Sequence, residues 1–156
     1  MPIDVKLDKY EVEAAAAVGL KRRIESSFKK LKSGSDSSQL ERWGVDIEGA
    51  LAELAAAKAL NIYYGFHYNT FKKLADVGKY EIRSSPNPEA NLIVRPKDAP
   101  DAIYILVTGT MPEYKIVGWI TGEDAMNKKY MRNPRSLGAA FFVPQEDLKD
   151  IEDLMK

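Results

Sequence analysis

The chain has 156 residues, with 23 Lys plus Arg against 23 Asp plus Glu and no cysteine. That length leaves room for one sizeable core, and 45% hydrophobic with 29% charged residues is an ordinary globular composition. Balanced charge excludes recruitment of nucleic acid by the whole-molecule field, absence of cysteine excludes disulfides and thiolate chemistry, and no run nears the ~20 apolar residues that span a bilayer.

The opening MPIDVKLDKY lacks the apolar core of a signal peptide, so the expected location is the cytoplasm. Residues 9–32 then carry Val12, Ala15, Ala16, Leu20, Ile24, Phe28 and Leu31 at helical spacing, which predicts a first helix with that stripe inward. The polar run SGSDSSQ at 33–39 predicts its end. A second helix is predicted over DIEGALAELAAAKALN, with Asp46 as N-cap. After residue 75 the pattern is strand-like. EIRSS, NLIVR, AIYILVTG and YKIVGWIT follow one another across short Pro-, Gly- and Asp-rich breaks, as in a meander. IYILV at 103–107 is apolar at every position and reads as a central strand covered on both faces. A short helix at GEDAMNKKY, a strand at AAFFVP and a helical cap over 144–156 complete the series. The expectation is an α+β protein, one domain over residues 1–156, with its core at 46–143.

Local charge remains as a route to nucleic acid. LKRRIESSFKKLK at 20–32 holds six basic residues against Glu25, and NKKYMRNPR at 127–135 holds Lys128, Lys129, Arg132 and Arg135 without an acid. Each reads equally as a binding patch or as a solvated face. His67, the sole histidine, reads as structural, and so do Tyr104 and Trp119 on their strands; Lys115 reads as an exposed strand lysine.

Gly78-Lys79 suits the two-residue loop of a hairpin with a type II′ turn. Counting outward from it pairs Val77 with Tyr80 and sets Asp76 across from Glu81. Like charges so placed repel. Strand alternation adds Arg83 to the Glu81 face. Glu53, flanked by Gly49, Ala50, Ala56 and Ala57, can approach the same patch on a helix face of small residues. Glu48 is turned about 140° away. Three carboxylates and a guanidinium suit a hard divalent cation, Mg²⁺ or Mn²⁺. The plainer alternative is a turn aspartate beside an exposed Glu81–Arg83 salt bridge, and the spacing favours neither.

The order of helix-borne Glu53, Asp76 and E-I-R at 81–83 resembles the PD-(D/E)XK nuclease superfamily, the restriction-endonuclease-like fold. There a helix Glu precedes an Asp near a hairpin, and (D/E)-x-K follows on the next strand. GALAELAAAKAL is similar to that family's first helix and DVGKYEIRSS to its hairpin, and the resemblance spans about residues 46–120. LIVRPKD, YILVTG, KIVGWITGEDA and AFFVPQEDL extend it to small phage-encoded members, for which the compartment would be the host cytoplasm. The resemblance implies a mixed β-sheet flanked by helices and an Mg²⁺- or Mn²⁺-dependent nuclease acting on DNA. Asp76 and Glu81 would be metal ligands together with the Ile82 carbonyl, Glu53 would act through water or a second ion, and Arg83 would contact the phosphate. It implies no membrane partner and leaves a homodimer open. The family's lysine is Arg83 here, a fixed charge that does not serve as a general base. That departure keeps an alternative in play: an inactive nuclease-fold module that binds nucleic acid or protein, including a phage structural or accessory protein.

Overall fold

The computed structural model describes residues 1–29, 39–68, 74–135 and 138–156. A short strand, β1 (Ile3–Lys6), leads into helix α1 (Lys9–Phe28). Asp8 and Glu11 start that helix with a capping box: each carboxylate accepts the other residue's backbone N–H at 2.9 Å. The face that α1 buries carries Ala15, Val18, Gly19 and Arg23. Leu20, Ile24 and Phe28 stand exposed, so the expected stripe holds only over its first turns. The reason lies in the neighbouring helix, α2 (Gln39–Leu60). A Cβ on Gly19 would lie 2.5 Å from Ile47 Cα and 2.6 Å from the Asp46 carbonyl oxygen. This backbone-to-backbone approach sets the rotation of α1. Leu31 and residues 33–38 of the expected polar loop lie outside the described residues.

Helix α2 begins at Gln39, so Asp46 is an interior residue and not its N-cap. Strands β2 (Tyr80–Ser85), β3 (Leu92–Val94), β4 (Ile103–Thr110) and β5 (Glu113–Thr121) follow. They do not form a meander. The main sheet has the order β1-β5-β4-β2, in which β2 runs parallel to β4 and the other neighbours are antiparallel. β3 leaves this sheet and joins β7 (Ala140–Val143) and β6 (Met131–Arg132) in a second, three-stranded sheet. A parallel neighbour requires a crossover between the two strands, and β3 with its flanking turns supplies it.

Both faces of the main sheet are covered. Ile105 and Val107 of β4 pack with Ala52, Ala56 and Leu60 of α2, while Tyr104 and Leu106 pack with Leu92, Val94 and Val143 of the second sheet. The uniformly apolar IYILV follows from this, since alternate residues enter different cores. Glycine and acid at 122–124 open a single-turn helix, α3 (Gly122–Ala125). The expected C-terminal helix is instead two 3₁₀ turns, Gln145–Asp147 and Ile151–Met155. Lys149 between them forms a β-bridge with Trp119, with N–H···O distances of 3.0 and 2.8 Å; extended backbone there is incompatible with a continuous helix. The molecule is thus α+β with a mixed sheet. Among the described residues no helix is long and apolar enough to cross a membrane.

Candidate metal site at the open sheet edge

The Gly78-Lys79 turn forms as its residues dictate. Val77 and Tyr80 exchange backbone hydrogen bonds of 3.1 and 2.8 Å, and Gly78 has φ +56°, a left-handed value that costs glycine little. The hairpin then stops after one rung. The next Ile82 N–H donates to the Asp76 carboxylate at 2.8 Å, so a side chain takes the place of a backbone acceptor.

This hydrogen bond also fixes which way the strand backbone faces. Among the described residues β2 ends the sheet order, with β4 on one side only. The N–H and C=O of a strand residue point to the same side, and alternate residues point to opposite sides. The N–H groups of Tyr80 and Ile82 both point away from β4, so the Ile82 carbonyl also faces the open edge beside Asp76. The side chains divide in the other direction. Tyr80 and Ile82 enter the helix-side core. Glu81 and Arg83 lie on the opposite face, where the Arg83 guanidinium sits 4.9 Å from the centre of the Tyr104 ring.

Asp76 and Glu81 come together as the turn predicts. The two carboxyl groups lie close enough for the charge of Asp76 to act on Glu81. Burial first, and then the neighbouring Asp76, push the Glu81 carboxyl up to about 7 against the pull of Arg83.

Glu53 is brought close to Asp76 but on the helix side. It is 6% exposed and accepts two hydrogen bonds from Arg22, at 2.6 and 2.8 Å. Tyr64 adds its hydroxyl at 3.3 Å, and Arg22 also donates to the His67 carbonyl at 3.0 Å. Burial raises the Glu53 carboxyl and the charge of Asp76 adds to it, while the Arg22 fork favours the ionised form. Glu53, Asp76, Glu81 and Arg83 therefore do not share one face, as the spacing suggested. They form a string that turns around the sheet edge, with Asp76 as the link. The period of two explains the difference: Ile82 faces the helices, so Glu81 cannot.

Arg83 is firmly held. Its Nη2 donates to Asp98 at 2.9 Å and its Nε to the Ile93 carbonyl at 3.2 Å. Among the described residues these bonds use two of the guanidinium's five N–H donors. Glu48 points elsewhere, as expected, and accepts from the Tyr114 hydroxyl at 2.7 Å.

Asp76, Glu81 and the Ile82 carbonyl are hard oxygen donors at one edge, and this donor set fits Mg²⁺ or Mn²⁺. A cation at this place would offset the repulsion between the two carboxyls. Glu53 fits only as an outlying charge, because Arg22 and Tyr64 occupy its oxygens. Among the described residues no group of three or more His, Asp or Glu side chains is arranged to hold a metal ion. The first basic patch is reduced by Arg22 and by Arg23, which is buried and lies 3.5 Å from Asp46; Lys30 and Lys32 lie outside the described residues. In the second, Lys128, Lys129, Arg132 and Arg135 are exposed.

Sequence reasoning missed Arg22, Tyr64 and Asp98. Arg22 had a signal, because it lies in phase with Ala15, Val18 and Gly19 on α1, opposite a helix with acids at 46 and 53, two turns apart on one face. Asp98 had none, since its loop is distant from Arg83 in sequence. Comparison with protein-family models, with curated proteins and with solved structures gives no match.

Proposed function

We propose that the chain is a divalent-metal-dependent phosphodiester hydrolase acting on DNA, with a restriction-endonuclease-like arrangement of helices around its mixed sheet. One observation carries this reading: the Asp76 and Glu81 carboxyls lie together at a strand edge, beside an outward-facing backbone carbonyl, with a guanidinium two residues on. A bound Mg²⁺ or Mn²⁺ would supply a water of lowered pKa and polarise the phosphate. Asp76, Glu81 and the Ile82 carbonyl would hold it, with Glu53 contributing through water or a second ion. Arg83, with three N–H donors left, neutralises charge on a phosphate; because it stays protonated, it takes no proton from the attacking water. Asp98 and Tyr104 fix where that guanidinium points.

A second reading has its own support. The Arg83 contacts and the Arg22–Glu53 pair leave every charge of the string satisfied without substrate, as in a nuclease-fold module that binds nucleic acid or a protein and no longer cleaves. Plasmid nicking and single-strand degradation in Mg²⁺ or Mn²⁺ separate the two, with Glu81→Gln from the same preparation as control. The hydrolase reading expects cleavage that Glu81→Gln abolishes and Arg83→Lys retains or raises. Cleavage that survives Glu81→Gln is contamination. No cleavage by either the wild type or Arg83→Lys would leave the binding module as the better account.

A further inference from the structure

We infer that the cleft on the Arg83 side of the main sheet accepts one unpaired nucleotide of a single-stranded nucleic acid. This rests on the reading of Arg83 as a phosphate contact and adds which form of substrate reaches it. The cleft measures about 450 Å³ and lies between the edge of β2 and the second sheet. That is the size range of small-ligand sites, roughly 300–1,000 Å³. It suits a single nucleotide drawn out of a stack and not a run of paired bases.

Its walls divide by chemistry. Ile93 and Phe142 are cross-strand partners in the second sheet, and both line the cleft. Their neighbours Leu92, Val94 and Val143 fill the core behind them, so alternation turns Ile93 and Phe142 outward as a pair. Leu106 closes the floor. A partly exposed phenylalanine beside an aliphatic residue, on a rigid strand, is a stacking surface for any base. Arg83 stands at one end with its remaining donors, next to the Asp76–Glu81 pair. Asn87, Glu89, Asn91 and a second cation, Arg95, also line the cleft. The Asn87 carboxamide oxygen accepts from the Glu89 N–H at 3.0 Å, which leaves its NH₂ as a donor for a base edge. Glu89 repels phosphate from its own part of the cleft. The nucleotide is thereby oriented, with its phosphate toward Arg83 and its base toward Phe142.

Fluorescence anisotropy in EDTA tests this without turnover, using a labelled 20-nucleotide single strand and the blunt duplex made from it. The single strand should bind about tenfold more tightly than the duplex. Phe142→Leu should weaken single-strand binding at least about fivefold, in line with loss of a stacking contact. Asn91→Asp, a change on an exposed loop, should weaken it comparably by placing a negative charge on the rim, even if Phe142→Leu perturbs folding. Equal or stronger duplex binding, no binding of either probe, or single-strand binding unaffected by Asn91→Asp would overturn the inference. Single-strand preference without cleavage in Mn²⁺ would leave this inference standing and remove the hydrolase reading. Cleavage without strand preference would do the reverse.

Discussion

Glu81 makes the folded chain hold a proton more tightly than the unfolded chain does. Burial and the neighbouring Asp76 push its carboxyl up to about 7 from an ordinary value of 4.5. A group whose folded pKa is raised contributes stability that is fully present below its unfolded value and is lost as pH rises through the folded one. The melting temperature should therefore fall between about pH 5 and pH 8, and Glu81→Gln, which mimics the protonated form, should flatten that decline. A profile identical in wild type and Glu81→Gln would show that folding does not raise the Glu81 carboxyl. Some slope should remain in the variant, because burial also raises Glu53 and Asp46. A second prediction concerns Arg22. Arg22→Met leaves a nearly buried Glu53 unpaired and should cost about 3–5 kcal/mol in denaturant unfolding. Adding Glu53→Leu should restore most of that loss, since replacing both members of a buried pair with apolar groups is close to neutral. Additive losses in the double variant would mean that the two residues act separately.

At the scale of elements, the hinge of the architecture is the crossing of α1 and α2 at Gly19. A methyl group there meets backbone atoms, which cannot rotate away as a flexible side chain could. Gly19→Ala should cost about 1–3 kcal/mol through overpacking, despite alanine's better helix propensity. Unchanged or raised stability would mean that the helices move apart freely. The same crossing explains what sequence did and did not disclose. The stripe Leu20, Ile24 and Phe28 is the most apolar line on α1, but the line that packs is the one with the smallest residues, because small residues let two backbones meet. Apolar periodicity alone misses that. IYILV and the Gly78-Lys79 turn were legible because local geometry determines them. The departure of β3 was not, since three residues, Leu92–Val94, pair equally well with any neighbour and the choice is made by a strand some fifty residues later. The candidate site was legible as a list of residues but not as a shape: residue order gives Glu53, Asp76, Glu81 and Arg83, whereas their division between two faces depends on which face α2 covers.

At the scale of the molecule, the string of charge runs from Arg22 and Glu53 on the helix layer, around the sheet edge at Asp76, to Glu81, Arg83 and Asp98 beside the second sheet. A cation bound at the edge would act on both layers at once, so its effect should appear in global unfolding. Stabilisation by a ligand of the folded state grows as RT ln(1 + [L]/Kd) and reaches ~2.7 kcal/mol at a hundredfold excess over Kd. A cation bound through Glu81 would also displace the proton that its raised pKa retains, and metal affinity would then rise with pH. The Mn²⁺-induced rise in melting temperature should therefore be small at pH 6 and grow through pH 7 to pH 8, while the metal-free melting temperature falls over the same range. Asp76→Asn separates the two effects. An asparagine oxygen can still accept from the Ile82 N–H, and its NH₂ can donate to Glu81, so the metal-free protein should be as stable as the wild type or slightly more so. Its response to Mn²⁺ should vanish, because one anionic ligand is gone. Melts of both proteins, with and without Mn²⁺ at pH 6, 7 and 8, provide the measurement. A Mn²⁺ shift of equal size in Asp76→Asn would place the cation elsewhere on the molecule, and a shift that ignores pH would mean that Glu81 loses no proton when it binds.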